Sequence, residues 1–134
     1  MALIATIQFG DNENKLYSHT YTVCDVKCHI MRPYNSHLPD GPARCERIDV
    51  TVVAPGKSDL TLLDWYVNRS TMSGRVVIAM SNDAKLDVGA EKEILFENAR
   101  CFRLAEDYHI DKEARRLLTL SFDAETITTD NNQL

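Results

Sequence analysis

The sequence predicts a mainly β fold: a small barrel or sandwich of five or six strands, with one helix lying over an open side. Three observations lead there. Apolar and polar residues alternate with period two over most of the chain, the signature of strands with one buried face. A single stretch near residue 60 repeats instead at helical spacing. Segments rich in proline, glycine and polar residues separate these runs.

In chain order, residues 2–9 form the first strand. The second is long, from 16 to 30: Cys24, Val26, Cys28 and Ile30 fall on one face, and His19, Tyr21, Asp25, Lys27 and His29 on the other. Ile48, Val50 and Val52 alternate with Arg47, Asp49 and Thr51 in the third. Leu60, Leu63 and Val67 are spaced i, i+3, i+7, which is helical; Ser58 or Asp59 suits its N-terminal cap and Arg69 its negative C-terminal end. Trp65 lies near Leu62, so this helix is apolar on more than one side, which suits packing into the barrel or contact with another subunit. Leu60, Leu63, Trp65 and Val67 are the predicted packing residues. The run 75–80 is continuously apolar, as in a strand buried on both faces. Residues 94–104 and 116–127 alternate again, with Leu118, Leu120, Phe122 and Ala124 on one face.

Connections complete the outline. Residues 32–45 hold Pro33, Pro39, Pro42 and the turn pair Asp40-Gly41. That exceeds the ~4–6 residues of a usual connection, and loops beyond ~12–15 tend to be functional or disordered. Polar loops are expected at 81–90 and 106–113, and the polar tail 128–134 is expected to fray.

A chain of 134 residues makes one domain that can fold without disulfides or metal. Its net charge of −5 repels phosphate backbones, which argues against nucleic acid as a partner. No apolar run approaches the ~20 residues of a membrane-spanning helix, so no membrane insertion is expected. The N-terminus lacks a basic leader and a cleavage site, which predicts synthesis in the cytoplasm without signal-peptide export. Cys24, Cys28, Cys45 and Cys101 are then expected as reduced thiols.

Candidate chemistries are weak. Gly56-Lys57-Ser58 stands between a strand and a helix, where a phosphate-binding loop belongs. Position 51 holds Thr51 and not the first glycine of that motif, so no cradle forms. Cys24 and Cys28 lie four residues apart on a strand, ~13 Å at the strand rise, too far to share one zinc ion with ~2.3 Å bonds. They read as small core hydrophobes, and no metal or cofactor is expected. His19, His29 and His37 have no nucleophile motif beside them. The acidic run around His109 carries Lys112 where a calcium-binding loop needs glycine. Asn68-Arg69-Ser70 matches a glycosylation sequon that has no export signal to make it meaningful.

Three stretches carry a resemblance. LTLLDWYVNRSTMSGRVVI, 60–78, resembles the helix and following strand of the tube-forming Hcp (TssD) family of type VI secretion systems in its Bacteroidetes branch; with the residue before it, the family pattern falls on Asp59, Leu60, Trp65, Asn68, Ser73 and Gly74. EILFENARCFRLAEDY, 93–108, is similar to a family strand through Phe96, Asn98 and Ala99. RRLLTLSFDAETI, 115–127, resembles its closing strand through Leu118, Ser121, Ala124 and Glu125. The likeness keeps its order over nearly the whole chain, while Cys24, Cys28 and Cys45 are no part of it.

The resemblance implies a small β-barrel of two sheets flanked by one α-helix. It also implies hexameric rings of identical chains, stacked into a hollow tube that a contractile sheath expels. A spike caps the tube, and effectors travel in its lumen. No catalysis is implied, and export by that machine needs no signal peptide. The family's counterpart of the long loop reaches from ring to ring, which makes Tyr34, Asn35, Ser36, His37, Leu38, Pro39, Asp40 and Gly41 the expected stacking residues. The lumen wall is expected to be the polar face of the second and third strands. A small-ligand-binding β-barrel is the alternative, and it requires a cavity with convergent polar groups. An acidic immunity-type partner is a third reading, resting on charge alone.

Overall fold

The computed structural model describes residues 2–31, 34–35, 38–39, 44–56, 58–81, 92–109, 115–129 and 132–133. Its elements are β1 (Ala2–Asp11), β2 (Leu16–Met31), β3 (Tyr34–Asn35), β4 (Leu38–Pro39), β5 (Arg44–Val53), α1 (Thr61–Val67), β6 (Met72–Ser81), β7 (Lys92–His109), β8 (Arg115–Asp123), β9 (Thr126–Thr129) and β10 (Asn132–Gln133). Every pairing is antiparallel. The strands run in the order β7-β6-β1-β2-β5-β8, and β8 returns to β7, which closes a six-stranded barrel. β9 continues along the same edge of β7, and β10 pairs onto β9. β3 and β4 form a separate two-stranded ladder between β2 and β5.

A β-bulge bends its strand and raises its twist, and the register shifts show where this chain bends. In β2 the shift between Val23 and Asp25 leaves Cys24 as an extra residue. Tyr21 and Val23 point inward before it, and Val26 and Cys28 pack against the core after it. The expected Cys24-Val26-Cys28-Ile30 face is therefore corrected: Cys24 and Ile30 are exposed. β7 shifts twice, at Asn98 and at Phe102. Its buried positions accordingly run Ile94, Phe96, then Ala99, Cys101. Asn98 has a φ of 52°, and asparagine is among the few residues that accept this left-handed backbone at a bulge.

Aromatic rings fill the interior. Phe9 meets Trp65 at 5.3 Å and Phe96 at 5.8 Å between centroids, and Phe122 meets Phe96 at 4.9 Å and Trp65 at 5.4 Å. Such edge and tilted contacts add to the stabilisation from burying each ring. In the β1–β2 turn the Asn12 side-chain amide donates to the carbonyls of Gly74 (2.8 Å) and Phe96 (3.1 Å). That turn thereby holds β6 and β7 together. Gly74 is required by close approach: a Cβ there would lie 2.0 Å from the Gln8 carbonyl oxygen.

α1 turns Leu62 and Trp65 into the barrel, each 1% exposed, and the Trp65 indole N–H donates to the Ala99 carbonyl at 3.0 Å. Trp65 is thus at its expected post. Leu60, Leu63 and Val67 are not: they are 54%, 44% and 61% exposed. The helix has only seven residues. Its buried stripe is the single i, i+3 pair Leu62 and Trp65, and the other leucines fall on its outer side. The cap also differs in detail. Leu60 holds the N-cap position without a side-chain bond, while Asp59 accepts the Thr61 amide N–H at 3.0 Å and the Tyr21 hydroxyl at 2.9 Å.

Other sequence expectations shift at their edges. Among the described side chains of β6, Val76 is fully buried and Val77, Ile78 and Ala79 are half-buried, Ile78 against the core and Val77 and Ala79 on the outer face. Residues 106–109 extend β7 in place of starting a loop, and Thr128 and Thr129 pair with Leu95 and Ile94 in place of fraying. Arg44 and Cys45 belong to β5 and not to the preceding loop. Lys57, residues 82–90 and residues 110–113 lie outside the described residues.

Candidate assembly site

Apolar side chains gather outside the barrel on one side. Tyr66, Val67, Arg69, Arg100, Cys101 and Phe102 line a groove of about 600 Å³ between α1 and β7. Phe102 is exposed because the shift at Asn98 turns Ala99 and Cys101 inward and leaves Phe102 on the opposite face, and Tyr66, Leu63 and Leu60 extend the apolar surface along the helix. β6 pairs with β7 only as far as Ala99. Beyond it, among the described residues, β7 bonds to β8 on one edge and keeps the other open. An open edge offers unpaired backbone donors and acceptors to another chain.

The outer face of β2, β5 and β8 is polar. There His29 Nε2 lies 2.7 Å from Asp49 Oδ2, the Ser121 hydroxyl donates to Asp49 Oδ1 at 2.6 Å, and Arg47 Nε lies 3.5 Å from Asp49 Oδ2. Desolvation raises the Asp49 carboxyl, but Ser121, His29 and Arg47 outweigh it and hold the group below its ordinary value. Serine, histidine and aspartate are the members of a hydrolytic triad in a different order. The carboxylate stands between serine and histidine, so no base touches the hydroxyl in a way that activates it as a nucleophile. The arrangement instead ties three strands together. On the neighbouring face Arg75 pairs with Glu93, bonds Gln8 Oε1 at 2.7 Å and lies 4.5 Å from the centre of the Tyr17 ring.

Of the expected stacking residues, Tyr34 pairs with Pro39 and Asn35 with Leu38 in the β3–β4 ladder. Ser36, His37, Asp40 and Gly41 lie outside the described residues. At the root of this hairpin the two-strand ladder slips. Ile30 pairs with Cys45, although the register at His29 and Arg47 would bring Glu46 there. The slip brings Cys45 to the core side, 3.0 Å from Cys28, sulfur to sulfur. Cys24, expected on the same inward face as Cys28, is exposed, and Cys45 is the cysteine beside Cys28. The usable signal was that Cys28 and Cys45 flank the same hairpin at comparable distance from its tip. Among the described residues no three His, Cys, Asp or Glu side chains are placed to hold a metal ion, and no helix is long and apolar enough to cross a membrane.

A closed barrel whose interior is filled by rings, whose polar groups mostly bond within the fold and whose apolar surplus lies outside defines a class: a structural barrel with surface to assemble. Comparison with known proteins makes the class specific. Residues 2–134 match the family described as Hemolysin coregulated protein Hcp (TssD), and the chain belongs to it. It is a type VI secretion tube subunit, of a family whose members are secreted. No curated protein matches in sequence. Among solved structures, Hcp1 from Flavobacterium johnsoniae aligns over 98% of each chain with a TM-score of 0.69 at 16% identity. The secreted protein Hcp3 from Pseudomonas aeruginosa covers 96% of this chain and 90% of its own, with a TM-score of 0.64 at 12% identity. The baseplate of the anti-feeding prophage, solved with six-fold symmetry, contains a chain matched over 95% of this one and 91% of that one, with a TM-score of 0.50 at 15% identity.

Proposed function

We propose that identical copies of this chain close into a ring of six, and that rings stack into the tube a contractile sheath expels. The observation that carries this reading is the apolar surface shared by α1 and β7. Leu60, Leu63, Tyr66, Val67 and Phe102 are each at least 40% exposed, and an open strand edge runs beside them. A surface of this kind is costly in an isolated molecule and serves as a contact in an assembled one. If the patch docks onto a different face of the next copy, the contact is head-to-tail and closes when its rotation does. The six-fold symmetry of the prophage baseplate supports that rotation as the one to test first.

The polar face of β2 and β5 then lines the lumen, where uncharged and charged groups alternate and effectors travel. Residues 34–41 reach the next ring. A spike at the tip and the sheath outside are the remaining partners. The protein acts by assembling and not by catalysis, as the interrupted order of Ser121, Asp49 and His29 suits. It assembles in the cytoplasm and leaves through the machine.

Light scattering on the purified protein should give a mass several times 15.2 kDa. A strict monomer at tens of micromolar, about the range of ordinary interface affinities, overturns the ring. Replacing residues 34–41 with a short Gly/Ser linker should leave the ring mass intact and abolish tubes and secretion. If the shortened protein dissociates, the hairpin belongs to the ring contact; if it still stacks and is exported, the hairpin has no assembly role.

A further inference from the structure

Four cysteines are present, and the structure treats them differently. Cys101 is buried, donates to the Arg103 carbonyl at 3.2 Å, and has its thiol pushed up to about 11, first by burial. Cys24 stands alone on its bulge, exposed. Cys28 and Cys45 are half-buried, on adjacent antiparallel strands, with sulfurs 3.0 Å apart. We infer that Cys28 and Cys45 are a redox-active pair, a modification site at which a small disulfide of the glutathione class converts the two thiols into a cross-strand disulfide.

Geometry separates this from a metal site. A tetrahedral zinc ion with ~2.3 Å bonds holds its sulfurs roughly 3.7 Å apart and needs two further ligands. Here the sulfurs are closer, and no third ligand stands beside them among the described residues. To reach the ~2.05 Å of a disulfide they need approach by only about 1 Å. The reaction balances with the named oxidant. The Cys28 thiolate attacks one sulfur of the small disulfide and expels one small thiol. The Cys45 thiol loses its proton to solvent and attacks the Cys28 sulfur, which expels the second. The protein gives up two electrons and two protons, and one small disulfide becomes two thiols. Cys28 suits the first role: the neighbouring Cys45 thiol holds it below a free thiol, at about 7, against the effect of burial and with help from the Lys92 ammonium. Cys45 is pushed up by the same contact.

The bond ties β2 to β5 at the root of the β3–β4 hairpin. A thiol pair is the form expected in a reducing cytoplasm and a disulfide the form expected outside it. Resting on the reading of residues 34–41 as the ring-to-ring contact, oxidation would then fix the root of that contact once the tube has left the cell.

The test uses the whole purified protein, reduced and then treated with oxidised glutathione without denaturant. Thiol titration should show the loss of two of the four thiols. Intact mass should fall by two hydrogens, and peptide mapping should join Cys28 to Cys45. A trivalent arsenical that bridges paired thiols should bind the reduced protein and bind Cys45→Ser about a hundredfold more weakly, as the second sulfur acts at high effective concentration. Cys24→Ser should change neither result. A persistent glutathione adduct on Cys28, a dimer joined through Cys24, or four unreacted thiols overturns the inference. These readouts need no tube. Electron microscopy of reduced and oxidised samples tests the consequence for stacking separately: its failure with the disulfide formed counts against the assembly reading and leaves the redox site standing.

Discussion

The helix region and the root of the β2–β5 hairpin belong to one barrel and are held by different physics. At the helix, Trp65 sits among Phe9, Phe96 and Phe122 with its one polar atom satisfied by Ala99. At the hairpin root, the contacts are the Asp49 network outside and two thiols inside. The first is dense, apolar and indifferent to pH or redox state. The second consists of groups that exchange protons or electrons. The contrast teaches that one region is held by the shape of packed rings, and that groups able to exchange protons or electrons lie where the chain projects towards its proposed neighbour.

The sharpest way to break this contrast is Trp65→Ala. It removes the central ring and leaves the Ala99 carbonyl without its donor, so a loss of about 3–5 kcal/mol is expected, read by urea unfolding of the dissociated subunit. Leu63→Ala, two residues earlier but outside, should cost under about 0.5 kcal/mol in the same measurement and should instead lower the mass seen by light scattering. Equal costs at the two positions would mean that the outer face of α1 is part of the subunit's own core.

Gly74→Ala comes next. The new Cβ would meet the Gln8 carbonyl at 2.0 Å, and backbone cannot step aside as a side chain can. Separation of β6 from β1 should cost at least about 1–3 kcal/mol. A neutral result would show that the wall beside the aromatic cluster is softer than the hairpin root, reversing the comparison.

How far the sequence shows these regions depends on bulges. Period two reveals strands, and the order of strands and helix follows from it. A bulge moves every later residue of its strand to the other face. Cys24 and Phe102 therefore look like core positions in the sequence and stand outside in the structure. A separate slip, between His29 and Ile30, turns Cys45 towards Cys28; nothing in the run Arg44-Cys45-Glu46-Arg47 marks it, and only the equal distance of the two cysteines from the hairpin tip points to the pair. On the helix, spacing alone cannot choose between two overlapping apolar stripes. Trp65 decides it, because the indole needs both space and a hydrogen-bond acceptor.

The hairpin root should answer to pH where the aromatic cluster around Trp65 does not. Asp49 has its carboxyl lowered in the folded protein. Its contribution is therefore complete above the unfolded carboxylate value and disappears as pH falls through the lower, folded one. Asp49→Asn should cost about 1 kcal/mol near neutrality, a modest figure because the group is partly solvated. Unfolding curves of the wild type and the variant should converge in acid. A cost that persists unchanged there would assign the contribution to shape and not to charge, and would make this region resemble the helix.

The smallest effect tests the end of the helix. Arg69 follows the C-cap Asn68 and has a φ of 53°, the left-handed conformation that usually selects glycine at this position. Two influences compete. Relief of the backbone favours Arg69→Gly, while the arginine's charge favours the negative end of the helix by ~0.3–1 kcal/mol when exposed. The αL penalty for a residue with a Cβ is roughly 1–2 kcal/mol, and glycine's greater freedom when unfolded returns ~0.5–1 of it. At the middle of these ranges the influences nearly cancel, so the net change is about zero and moves towards a gain as salt screens the charge. Arg69→Asn separates the terms, since asparagine tolerates the conformation without glycine's entropy. If both variants lose stability at high salt, strain is not stored at this helix end. Arg69 also lines the groove between α1 and β7, so each variant should be weighed by scattering as well. A ring that weakens while the subunit firms would place the arginine in the contact between copies.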